Sequence, residues 1–149
     1  GNICHYDRQT SQLKSYVWPF ENCGFFLVRT GNKVATHSHL KDLKELDVSV
    51  LKQLFNEAMK FFQDKNDAAF ASIIKEYQQA LQQLNLSHPQ TIDLINVLNK
   101  ISGIIATKGC GAMGADVVFV MYFLDVKSEV IKTLNEFSLD ILADHTHLC

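Results

Sequence analysis

The chain has 149 residues, 47% apolar and 20% charged, with a formal charge of −2, which describes one ordinary domain able to bury a core without staples. That charge leaves no basic surface for nucleic acid or an anionic membrane, and the longest apolar run, Val117 to Leu124, is too short to span a bilayer. Cys4, Cys23, Cys110 and Cys149 have neither zinc-ligand nor redox spacing, which predicts reduced thiols in a cytoplasmic protein. No signal peptide is visible, and a start at Gly1 without Met reads as a fragment.

Residues 1–12 are polar and weakly patterned, and read as an N-terminal arm or the remnant of a preceding domain; residues 13–149 form the domain proper. Leu13–Trp18 and Gly24–Thr30 read as strands joined by a turn over Pro19–Cys23, with Trp18, Pro19 and Phe20 as a packing cluster. A polar connection follows from His37 to Leu46. Leu51, Leu54, Phe55, Ala58, Met59 and Phe62 then recur at helical spacing, with Asp47 or Ser49 as cap. Asp67 is expected to cap a second helix that buries Phe70, Ile73, Ile74, Tyr77, Leu81 and Leu84. Ser87 and Gln90 predict a capping box for a third, whose apolar face is Leu94, Ile95, Leu98 and Ile101.

Gly103–Lys108 reads as a strand, and Val117–Leu124 as a continuous apolar strand covered on both faces. Lys127–Phe137 is a last helix, Leu139–Ala143 an edge strand, and residues 144–149 a loose tail. Strand runs beside helix runs predict an α+β fold: a ferredoxin-like antiparallel sheet with helices packed on one face.

The stretch with most chemistry lies between the last two long strands. Gly109, Gly111, Ala112, Gly114 and Ala115 leave the backbone nearly bare, bracketed by Lys108 and Asp116. Such a loop can turn sharply, approach a ligand closely and offer successive N–H groups to an anion. Its spacing is neither the dinucleotide fingerprint nor the Walker loop. His37-Ser38-His39 and His145-Thr146-His147 each offer two imidazoles, but no third ligand stands at a convincing spacing, and no metal is expected.

Lys108, Gly111, Ala112, Gly114 and Asp116, in Lys-x-x-Gly-Ala-x-Gly-x-Asp, resemble the C-terminal glycine-rich motif of the GHMP small-molecule kinases, nearest the mevalonate and phosphomevalonate branch. The family pattern has Ser, Gly and Gly where this chain has Cys110, Met113 and Ala115. The segment from Phe26 through Thr30, Gly31 and Lys33 to Thr36 resembles a strand–Thr-Gly–Lys–Thr segment of the same domain, and the similarity runs from about residue 13 to 143.

The resemblance implies the GHMP kinase C-terminal fold and a full enzyme that moves the γ-phosphoryl of Mg2+-bound ATP to a small-molecule metabolite. It implies substrate or phosphate contacts at Thr30, Lys33, Thr36, Lys108, Gly109, Gly111, Ala112, Gly114 and Asp116. It also implies that Asp7 orients the acceptor, although Cys4-His5-Tyr6-Asp7 keeps only the Asp of the family's Ser-Gly-x-Asp. The family's Gly-Leu-Gly-Ser-Ser phosphate loop is absent. ATP and Mg2+ are therefore expected mainly on an N-terminal kinase domain of the same chain, and this fragment alone is expected to be inactive. A homodimer is left open. The alternative is a non-catalytic ligand-binding or regulatory module on the same scaffold.

Overall fold

The computed structural model describes residues 3–7, 10–31, 47–111 and 116–148. Within them lie strands β1 (Ile3–Asp7), β2 (Gln12–Tyr16) and β3 (Cys23–Arg29), then helices α1 (Ser49–Gln63), α2 (Asp67–Gln83) and α3 (Pro89–Leu98). Strands β4 (Ile104–Cys110) and β5 (Val117–Phe123), helix α4 (Lys127–Glu136) and strand β6 (Ile141–Asp144) complete the order. One-turn 3-10 segments precede α4 and follow β6.

The main sheet has the order β4-β5-β3-β6, and every neighbouring pair is antiparallel. The α+β architecture and the antiparallel sheet expected from the sequence are present, but helices cover both faces of the sheet rather than one, because the inner strands carry apolar side chains on each side. Strand alternation sends Phe26, Val28, Val118, Val120 and Tyr122 to one face, where Ile95 and Leu98 of α3 and Val130 and Leu134 of α4 cover them. Met121 and Phe119 point the other way, into a cluster with Leu51, Leu54 and Phe62 of α1 and Phe70 and Ile73 of α2. The apolar run of β5 is thus explained by burial on both sides. The two central strands also stack rings: Phe26 lies on Tyr122 at 4.2 Å.

Five local expectations are corrected. The weakly patterned first residues contain β1, which pairs with β2 in a separate two-stranded ribbon, so β2 and β3 do not pair as a hairpin. Helix α2 is capped by Asn66, whose side chain accepts from Ala69 N at 3.0 Å, while Asp67 accepts from the buried Cys23 thiol at 3.5 Å. Burial, with the Asp67 carboxylate beside it, pushes that thiol up to about 12. Ser87 does not cap α3: its hydroxyl accepts from Gln78 Nε2 at 3.1 Å, and His88 takes the cap position. At α1 the N-cap is Val48, without a side-chain cap bond, so neither Asp47 nor Ser49 caps the helix as expected; Asp47 accepts from Ser49 N at 2.9 Å just ahead of it.

The last correction is the tail. Asp144 is 8% exposed and accepts from Lys127 Nζ at 2.9 Å and from Thr146 N at 2.8 Å, and the Thr146 hydroxyl donates to the same carboxylate. His145 packs over the bare backbone of Gly24, where a Cβ would meet its ring at 2.5 Å. Burial pushes that imidazole below its ordinary value.

Burial also works to raise the Asp144 carboxyl, but the hydrogen bonds from Thr146 and Lys127 outweigh it and hold it well below the usual range. The unfolded chain therefore takes up this proton first as pH falls. The stabilisation is complete above about pH 4 and is lost progressively below it. Asp144→Asn is expected to cost about 1–3 kcal/mol at pH 7, and less near pH 3. Urea unfolding at the two pH values checks this; equal losses at both would contradict it.

Candidate functional site

Strands β4 and β5 form a β-hairpin paired up to Cys110 and Val117, which sets Gly111 and Asp116, at the two edges of the glycine-rich loop, at its tip. Gly111 opens the tip with φ +86°, a conformation that costs a side-chain-bearing residue, and a Cβ there would press on Asp116 Oδ2 at 3.0 Å. Thr30 follows the end of β3, alongside. Its N–H and hydroxyl both donate to the Asp116 carbonyl, at 3.2 and 3.3 Å. Gly31, also at positive φ, has open space where a Cβ would stand.

The structure thus brings Thr30, Lys108, Gly109, Gly111 and Asp116 to the same end of the sheet. Lys33, Thr36, Ala112 and Gly114 lie outside the described residues, as does the pair His37 and His39. Asp7 ends β1 and accepts from Thr10 N at 3.4 Å.

Lys108 is half-buried. Its ammonium donates to the Gly109 carbonyl at 3.0 Å and sits 5.0 Å from the centre of the Tyr77 ring. The next residue on α2, Gln78, is 3% exposed, and its Oε1 accepts from Gly109 N at 2.9 Å. Adjacent residues of α2 therefore hold the two residues that lead into the tip. The apolar pattern marks Tyr77 only as core, and no motif singles out Gln78. A signal is nevertheless present: Gln78 stands four positions after Ile74, on the apolar stripe, where an uncharged polar side chain needs partners.

Gln78→Leu keeps the size but strands the Gly109 N–H and the Ser87 hydroxyl. A cost of about 1–3 kcal/mol is expected in urea unfolding. A loss below about 0.5 kcal/mol would show that the amide does not hold the hairpin, since surface substitutions stay within that range.

Beside the hairpin a cleft of about 670 Å³ opens between the sheet, α1, α2 and β1. Trp18, Phe25, Phe62, Phe119 and Tyr77 line it, and Lys108 and Cys110 stand at its margin toward the tip. Cys4, His5 and Tyr6 of β1 border the same cleft, so the strand that carries Asp7 and the base of the glycine hairpin share one opening. Among the described residues no group of three His, Cys, Asp or Glu side chains could hold a metal ion, and no helix is long and apolar enough to cross a membrane.

No family model matches the chain, and no curated protein matches it in sequence. Among solved structures it is similar to the mevalonate kinase of Methanococcus jannaschii, with a TM-score of 0.70 and 18% identity over 90% of this chain and 44% of that one. It is similar to the phosphomevalonate kinase of Streptococcus pneumoniae in complex with phosphomevalonate and AMPPNP (TM-score 0.73, 12% identity, 89% of this chain and 42% of that one). The galactokinase of Lactococcus lactis, complexed with galactose, gives a TM-score of 0.67 at 13% identity, over 89% of this chain and 46% of that one. The fold is therefore that of the GHMP kinases. The chain spans less than half the length of these neighbours.

Proposed function

We propose that this chain is the C-terminal domain of an ATP-dependent small-molecule kinase of the mevalonate or phosphomevalonate type. It forms the substrate side of an active site whose phosphate loop belongs to an N-terminal domain. One observation carries the reading: a chain with this fold sets Gly111 and Asp116 on a hairpin tip beside Thr30, with Lys108 on the strand that leads into it.

Phosphoryl transfer asks a protein for positioning and for compensation of charge, with little covalent work. The residues fit a phosphate-bearing ligand. Lys108 is a cation with no carboxylate partner among the described residues, and the backbone at Gly111 is bare. Bound Mg2+-ATP would supply the phosphoryl group, held mainly outside this chain. Lys108 meets the negative charge on the acceptor side, and the Gly111 backbone leaves room for its close approach. The Thr30–Asp116 hydrogen bonds keep the end of β3 and the tip in register. Lys33 and Thr36 supply further anion contacts, and Asp7 orients the acceptor hydroxyl and accepts its proton. The whole protein is cytoplasmic in this reading.

The test is ADP release by the full-length protein with mevalonate or phosphomevalonate. Lys108→Ala is expected to lower kcat/KM at least tenfold, about 1.4 kcal/mol of transition-state stabilisation. Intact ATP binding with no turnover of any isoprenoid-pathway or sugar acceptor would overturn the proposal.

A further inference from the structure

The cleft beside Lys108 has a chemistry that a small polar acceptor does not use. Its walls are rings and aliphatic groups: Tyr16, Trp18, Phe25, Phe62, Ile74 and Phe119. Sugar-like hydroxyls placed among them would lose water without gaining partners. At the margin stands one half-buried ammonium, that of Lys108, satisfied by a single carbonyl and a ring face. Among the described residues no carboxylate lies within ion-pair distance of it. A volume of about 670 Å³ falls within the range of sites that enclose small organic ligands, which pair an apolar lining with one or two orienting polar groups.

We propose that this cleft binds a single-chain amphiphile with an anionic head, the tail among the aromatic rings and the head on Lys108. The shape of the lining gives the tail its affinity, and the uncompensated cation selects the head. Such binding shares its cation with the kinase reading and rests on that reading to this extent, but it needs neither ATP nor a second domain.

Trp18 is the single tryptophan of the chain and forms part of the wall, so its emission reports occupancy directly. Decyl phosphate, decanoate, decanol and inorganic phosphate would each be titrated below any micelle concentration. A saturable emission change with one or both amphiphilic anions is expected, with decanol and inorganic phosphate at least tenfold weaker. The phosphate and carboxylate arms decide which head the site prefers. Shortening the tail from decyl to octyl removes two methylenes and should weaken binding about 15-fold, since each buried methylene contributes about a fourfold factor.

Lys108→Met should weaken the anions tenfold or more and leave decanol unchanged. Ala58→Phe, on the α1 wall, should block all three amphiphiles, with circular dichroism showing that the fold survives. Absence of saturation with both anions, equal affinity for decanol and decyl phosphate, or indifference to Lys108→Met would each overturn the proposal. If no amphiphile binds while Lys108→Ala still cripples phosphoryl transfer, the cleft proposal falls and the kinase reading stands. Head-selective binding with no turnover in the full-length protein would instead remove the kinase reading and uphold the amphiphile site.

Discussion

Replacing Trp18 by alanine is expected to destabilise this chain by about 3–5 kcal/mol, the range for deleting a large aromatic side chain from a packed cluster. Trp18 sits at the centre of an aromatic cluster that joins β3, α1 and α2. Its ring lies 4.9 Å from Phe20 and 4.8 Å from Phe25, and 6.1 Å from both Phe62 of α1 and Phe70 of α2. All four are edge-on contacts, each of which adds to simple area burial. The indole N–H donates to the Cys23 carbonyl at 2.7 Å, which pins the link between β2 and β3.

Trp18→Phe separates the two contributions. It retains a ring and loses the hydrogen bond, so it should fall between wild type and Trp18→Ala, with about 1 kcal/mol owed to the lost bond. Urea unfolding followed by far-UV circular dichroism gives the order, because both variants lack the only tryptophan emission. A loss under about 1 kcal/mol for Trp18→Ala would mean that α1 and α2 are held on the sheet without this ring, since such deletions normally cost several times more.

The helices and central strands are legible in the sequence because their signals are local. Leu51, Leu54 and Phe62 repeat at helical spacing, and all three are buried. Val117–Phe123 is uninterruptedly apolar because it is an inner strand with side chains packed on both faces. The features that mislead depend on partners distant in sequence. Ser87 looks like a cap until Gln78, nine residues earlier, engages its hydroxyl. Residues 144–148 look loose until Lys127, seventeen residues before Asp144, closes on its carboxylate. Strand β1 has no fully buried side chain on its two-stranded ribbon, and two of its five are exposed, so its pattern carries little hydrophobic signal.

The candidate site divides the same way. Bare backbone and bracketing charges announce the hairpin tip in the sequence. The α2 residues that support it, and the cleft that Lys108 borders, exist only once α2 is laid against β4.

Gly103→Ala, at the turn from α3 into β4, is expected to cost about 2–5 kcal/mol, the sum of a backbone penalty and an overpacking penalty. Gly103 has φ +88°, and a Cβ built there would run into Val126 Cγ2 and stand 3.6 Å from Val130 Cγ2. Val126 cannot simply swing away, because a β-branched side chain is stiff at χ1 and this one is the N-cap of α4. Nor can the turn relax easily: Gly103 O accepts from Phe123 N at 3.0 Å, where β5 ends. The double variant Gly103→Ala/Val126→Ala removes the collision and leaves the backbone strain. It should therefore cost less than the sum of its single variants, by about 1–3 kcal/mol. Strict additivity in the unfolding cycle would place the whole penalty in the backbone. A neutral Gly103→Ala would mean that α4 does not pack this closely on the turn, and the cover of the sheet by α3 and α4 would need a different account.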